Sequence, residues 1–183
     1  MFTVQEGPAR VLENHTDFLN AMVLSIADTL RHNLGPAHSE TVIAQVAHLV
    51  GDMFNDHFQL KHKTTRLSVE QVANALIELK QGIEDGYHIV EVSDERIVLL
   101  NDKCPFGQGA LGRPELCKMT SGVFGRIASE NLGYARVDVR SAITRGDRKC
   151  SVVIDLVPEP VGADGRMIDD HAVEPIEFYG NAV

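Results

Sequence analysis

The chain has 183 residues with 44% hydrophobic and 23% charged residues, and it carries a formal net charge of −9. That composition belongs to a folded globular chain of one-domain size and excludes a wholly disordered one. The acidic balance leaves no basic footprint for nucleic acid, and no apolar run reaches the ~20 residues of a membrane helix, so neither direct nucleic-acid binding nor membrane insertion is expected.

Residues 1–62 read as helical. Leu12, Leu19, Met22, Val23, Ile26, Ala27 and Leu30 recur at three- and four-residue spacings, and Leu34-Gly35-Pro36 supplies a stop. Ser39 and Glu40 open a second helix with a broad stripe of Val42, Ile43, Val46, Leu49, Val50, Met53, Phe54 and Phe58. Two such stripes exceed what one small sheet covers, so residues 1–62 are expected to be a dimerisation segment and the protein a homodimer. A third helix starts at Ser68, with Gln71 as its capping-box partner, and ends near Lys80-Gln81-Gly82.

From residue 86 the apolar period shortens to two. Tyr87–Val92 and Arg96–Leu100 form a hairpin across Ser93-Asp94-Glu95. A loop through Cys104-Pro105-Phe106-Gly107 leads to a helix beginning at Pro114 and ending at Leu132-Gly133. Tyr134–Val139 and Lys149–Val157 are two further strands; residues 158–183 form an acidic tail in which Ile176–Tyr179 can add an edge strand. Segregated helices and mostly antiparallel strands define an α+β fold. The domains expected are 1–62, a sensor-like unit over 63–157, and the tail 158–183. No basic-then-apolar leader opens the sequence, so a cytoplasmic protein is expected.

The chemistry concentrates on Cys104, Cys117 and Cys150. Three is an odd number, and with no export signal a disulfide framework is not expected. Cys104 follows the second strand, Cys117 lies in the first turn of the Pro114 helix, where the helix dipole favours a thiolate, and Cys150 begins the last strand on the inward face with Val152, Ile154 and Leu156. The spacing is neither that of a zinc ribbon nor that of a ferredoxin, and buried cysteine is also a common small hydrophobe, so spacing alone leaves a ligand set and a packing role open.

Asn101-Asp102-Lys103-Cys104-Pro105-Phe106-Gly107, Pro114-Glu115-Leu116-Cys117-Lys118-Met119-Thr120-Ser121, Gly125-Arg126-Ile127-Ala128, Asn131-Leu132-Gly133-Tyr134-Ala135-Arg136-Val137 and Arg145-Gly146-Asp147-Arg148-Lys149-Cys150 together resemble the methanogen output domain 1 family. That family is similar to the 4-vinyl-reductase-like sensor domains, and the order of motifs also resembles the C-terminal sensor half of iron–sulfur transcription repressors. The resemblance implies a sensory or output domain of signal transduction or transcription regulation, with Cys104, Cys117 and Cys150 as the conspicuous ligand set. Three thiolates suit zinc or a [4Fe–4S] cluster. His88 is a candidate fourth ligand, with Asp102 and Asp147 as substitutes; an exposed or hydrogen-bonded strand histidine and turn-forming aspartates are the plainer readings of the same positions. With no kinase, receiver or winged-helix module preceding it, the expected function is a stand-alone sensor that signals to a protein partner. The alternatives are a cysteine hydrolase of the thiazoline-ring-opening type and a ligand-binding interaction module without metal.

Other patterns read more plainly. His48, Asp52 and Asp56 share a polar helix face and are expected to be solvated. Ser121 lacks a nucleophile elbow. Gly107-x-Gly109-x-x-Gly112 is expected to be a mobile loop over the cysteines and not a nucleotide cradle.

Overall fold

The computed structural model describes residues 14–81, 86–158 and 175–180. Its α1 (His15–Leu34), α2 (Pro36–His62) and α3 (Val69–Gln81) precede β1 (Tyr87–Val92) and β2 (Arg96–Asn101). After these come α4 (Leu116–Leu132), β3 (Tyr134–Ser141), β4 (Cys150–Asp155) and β5 (Ile176–Tyr179). The fold is α+β, as expected. Leu12 and residues 159–174 of the acidic tail lie outside the described residues. No helix among those described is long and apolar enough to cross a membrane.

Local chemistry sets the helix limits. Asn14 caps α1 by accepting from the Asp17 N–H at 3.0 Å. Gly35, at φ +78°, separates α1 from α2 and donates its N–H to Arg31 at 3.1 Å, a backbone geometry that favours glycine. Ser68 and Gln71 form the expected reciprocal cap: Gln71 N–H donates to Ser68 Oγ at 3.3 Å and Ser68 N–H to Gln71 Oε1 at 2.9 Å. The fourth helix begins later than Pro114. Leu116, Cys117 and Lys118 donate to the carbonyls three residues back, so Arg113–Glu115 form a tight turn that feeds the helix.

The sheet runs β1-β2-β4-β3-β5 with antiparallel pairing throughout. The helix α4 packs against β3 and β5, α3 packs against β1 and α4, and α2 lies over α4. Close approach of α2 and α4 needs small residues: a Cβ on Gly122 would stand 2.6 Å from the Ala47 Cβ. The main core joins Phe58, Leu76, Phe124 and Ile127 to Ile97, Leu99, Val152 and Ile154. Burial of each large side chain contributes about 1.5–3 kcal/mol. A second cluster, including Leu24, Ala27, Ile43, Cys104, Phe106 and Leu116, lies between the first two helices and the start of α4.

Buried amides fix the register of the helices. Asn131, 3% exposed, donates to Asn55 Oδ1 at 2.6 Å and to the Ile127 carbonyl at 2.7 Å. Its Oδ1 accepts from Leu67 N–H at 2.9 Å and Gln59 Nε2 at 3.2 Å. One side chain therefore joins α4 to α2 and to the entry of α3.

Candidate functional site: a cavity lined by three thiols

Antiparallel register places Tyr87, Asn101 and Cys150 in one row across β1, β2 and β4. All three are buried. Beyond Asn101 the chain turns. The Asn101 side chain accepts from Lys103 N–H at 3.1 Å and donates to the Lys103 carbonyl, and Gly107 N–H donates to the Cys104 carbonyl at 2.9 Å. These bonds bring Cys104-Pro105-Phe106 back over the end of the row. Cys117 enters from the first turn of α4. Its own N–H already donates to the Pro114 carbonyl at 2.9 Å, and its Sγ lies 3.1 Å from the Thr144 hydroxyl. Cys150 Sγ accepts from Ile143 N–H at 3.4 Å.

The result is one cavity lined by Cys104, Cys117 and Cys150 with Tyr87, Pro105, Phe106, Thr120, Val139, Thr144 and Val152. The three cysteines are buried and form no disulfide. About 20 Å³ is open to the centre of a water-sized particle, room for one ion or one water but not for an organic molecule. Burial pushes the Cys150 thiol above its usual range, and the neighbouring Cys117 adds to that shift. Tyr87 is likewise pushed far up by burial, with Cys150 and Cys117 adding to the effect and its hydrogen bond to Asn101 opposing it. The cavity thus favours neutral, protonated groups.

His88 stands elsewhere. It is exposed, paired across β1 and β2 with Leu100, on the sheet face opposite Tyr87. Alternation puts Tyr87 inward, and a register shift between Ile89 and Glu91 breaks the regular alternation expected of His88, Val90 and Val92. The fourth-ligand assignment of His88 is corrected accordingly. Asp102 is exposed and pairs with Lys149 at 2.9 Å. Asp147 closes a turn by accepting from Ala142 N–H at 2.7 Å. Both do what aspartate does in turns. Among the described residues, no group of three or more His, Cys, Asp or Glu side chains is arranged to hold a metal ion. The thiols suit a soft metal chemically, but their arrangement is not a formed metal centre.

The glycine loop is fastened rather than loose. Arg113 forms a two-bond fork with Asp28 on α1, Nε to Oδ1 at 2.6 Å and NH2 to Oδ2 at 2.7 Å, and also donates to the Gly109 carbonyl. Arg31 reaches the Gly112 carbonyl at 3.3 Å and stands 3.6 Å from the buried Glu115 carboxylate. Gly112 N–H donates to the Thr144 carbonyl at 2.8 Å. On α2, Asp52 pairs with Arg126, and His48 tilts against Phe178 at 5.7 Å, so the polar stripe is structural and solvated.

A helical layer over a five-stranded antiparallel sheet, with a thiol-lined cavity between sheet and helix start, defines an α+β domain. The chain belongs to the methanogen output domain 1 family, whose family model matches residues 22–155. Among solved structures it is similar to a trafficking protein particle complex subunit 3 from Naegleria fowleri, described as covalently bound to palmitic acid. The identity is 13%, the TM-score 0.52, and the match covers 77% of this chain and 96% of that one, a likeness of fold. No curated protein matches the sequence.

Proposed function

We propose that this output domain senses a soft metal ion through Cys104, Cys117 and Cys150 and passes the signal to a partner protein. The observation that carries this reading is the shared cavity: three thiols from a loop, a helix start and a strand line one space. The size of that space favours a single ion, such as zinc, over a [4Fe–4S] cluster. Three cysteines would leave a fourth position for water or an incoming ligand. Thiolates are the metal-binding form, so uptake releases protons, and because the thiols are not gathered into a centre it draws the Cys104 loop inward. Nucleophilic catalysis needs a base beside the thiol. Among the described residues lining the cavity there is no His, Asp, Glu, Lys or Arg, which supports sensing over the cysteine-hydrolase reading.

The test is metal analysis of protein purified anaerobically. About one zinc-class ion per chain is expected, falling to background in Cys104→Ser, Cys117→Ser and Cys150→Ser variants that keep the wild-type circular dichroism spectrum. Unchanged metal content in all three variants would overturn the ligand assignment. Sulfide together with broad visible absorbance would replace the ion with a cluster.

The output surface lies on the first two helices. Leu19, Met22 and Ile26 on α1, and Val46, Leu49 and Met53 on α2, are each 42–72% exposed. Spacings of three and four residues put each trio on one stripe of its helix, and Ile26 and Val46 meet at one apolar crevice. An apolar face of this kind is characteristic of association, and a second copy is the occupant read here. Light scattering at tens of micromolar protein should give the dimer mass, and Met53→Glu should give the monomer. A monomeric wild-type chain under those conditions would sink the idea.

A further inference from the structure

The three thiols of the cavity are not equivalent. Cys117 and Cys150 belong to the main core, whereas Cys104 belongs to the second cluster. The Ile143–Arg145 turn between β3 and β4 holds the first two. Thr144 places its hydroxyl 3.1 Å from Cys117 Sγ, and Ile143, the residue before it, donates its N–H to Cys150 Sγ at 3.4 Å. Successive residues of one turn therefore gather two sulfurs, one from a helix start and one from a strand start. Cys104 stands on the loop, its carbonyl accepting from Gly107 N–H at 2.9 Å. All three keep a sliver of exposure, 7% for Cys104, 8% for Cys117 and 6% for Cys150. With about 20 Å³ open to the centre of a water-sized particle, the cavity admits molecules near the size of water and little else.

We propose that this cavity is a site of reaction with hydrogen peroxide, which joins Cys117 and Cys150 in a disulfide. Hydrogen peroxide is uncharged, only two oxygens long, and carries its own leaving group. The nucleophile is the Cys117 sulfur, whose proton has an exit: the Thr144 hydroxyl accepts it and passes its own proton to the far oxygen of the peroxide. The sulfur attacks the near oxygen and the O–O bond breaks. The first water leaves, and Cys117 becomes a sulfenic acid. Cys150 Sγ then attacks that sulfur, the S–O bond breaks, and the Cys150 proton leaves with the hydroxyl as the second water. Two thiols give up two electrons, and one peroxide is reduced to two waters. Among the described residues lining the cavity no His, Asp, Glu, Lys or Arg serves as a base, so the reaction is stoichiometric and slow, as a sensor requires and a peroxidase does not. The disulfide takes two of the three sulfurs, so peroxide and metal exclude one another. That exclusion rests on the metal-sensing reading; the disulfide itself does not need the metal.

The test uses the full chain, reduced, stripped of metal by a chelator and then treated with hydrogen peroxide. Remaining thiols are alkylated and the peptides mapped by mass spectrometry. The chain should lose two hydrogens, with Cys117 and Cys150 in one cross-linked peptide and Cys104 alkylated. Cys150→Ser should stop at a sulfenic acid on Cys117, trapped by dimedone. Thr144→Val should slow that first step about tenfold by closing the proton's exit. tert-Butyl hydroperoxide has the same O–O bond on a bulkier body and should react at least about tenfold more slowly than hydrogen peroxide, because access limits it. The wild-type peptide map involves no substitution, so it decides the pairing even where a variant folds poorly. A link through Cys104, equal rates for the two peroxides, or three intact thiols after peroxide overturns the proposal; an unchanged rate in Thr144→Val overturns the proton route. Metal content is measured separately. A chain that holds no metal but forms the link removes the metal reading alone, and a chain that binds metal through the thiols but resists peroxide removes this one alone.

Discussion

Replacing Asn131 with alanine should lower stability by about 3 kcal/mol, from four hydrogen bonds worth roughly 1 kcal/mol each and a further penalty for orphaned buried groups, less what water recovers. The groups left behind are specific. Leu67 N–H and Asn55 lose a buried partner, and Gln59 loses one of its two acceptors, keeping the Thr65 carbonyl at 2.9 Å. For a domain of this size the loss corresponds to a fall of roughly 6–12 °C in the thermal midpoint. The loss should be shared by probes of helix and of sheet, because the amide connects α2, the entry to α3 and α4, and α4 carries the sheet contacts. A calorimetric change below about 1 kcal/mol would mean that the network is dispensable.

Stability should also fall steeply in alkali, and the thiol cavity should be the cause. Cys150 holds its proton in the folded chain above its usual value of 9.0, and Tyr87 well above its usual 10.0. In the unfolded chain each returns to its usual value. Between the two values folding takes up a proton, so the stabilising contribution is complete below the unfolded pKa and is lost as pH rises toward the folded one. In the metal-free, chelator-treated protein the unfolding midpoint in urea should therefore be insensitive to these two groups up to about pH 8 and decline above about pH 9, with a second decline beyond about pH 10. Cys150→Ala should remove the first part of that decline and Tyr87→Phe the second. Tyr134, raised to about 12 by burial and by its hydrogen bond to Glu177, leaves a residual slope in both variants. An alkaline limb unchanged in both variants would show that the cavity is hydrated enough for these groups to titrate normally.

Much of the architecture was legible because local chemistry and global fold agree. The Gly35 stop, the Ser68–Gln71 cap, the change of period near residue 86 and the inward Cys150 all follow from rules acting over a few residues. The edge strand Ile176–Tyr179 was legible for the same reason. What escaped the sequence depends on register between distant segments. Alternation alone reads His88 as either a ligand or an exposed strand residue, and only the pairing, with its irregularity between Ile89 and Glu91, sets which. Tyr87 went unnoticed as a cavity residue because its neighbourhood with Asn101 and Cys150 exists only once three strands align. The apolar crevice at Ile26 and Val46 was hidden for a different reason: a stripe of Leu, Ile and Val reads the same whether the helices beneath it close fully or leave a gap. The glycine loop reads as mobile from composition, yet its restraint comes from Asp28 and Arg31, more than seventy residues away in sequence.

That restraint turns the loop into a lever. The segment from Cys104 to Cys117 has both ends in the thiol cavity, and between them Arg113 buckles it to Asp28 on α1. The buckle is a planar two-bond fork, stiff against sliding and twisting. The same helix carries Leu19, Met22 and Ile26 on its outer side. Were Cys104 and Phe106 displaced at the cavity, the fork would carry that displacement to α1. On the proposed reading, an event confined to the cavity would thereby reach the exposed apolar face of α1.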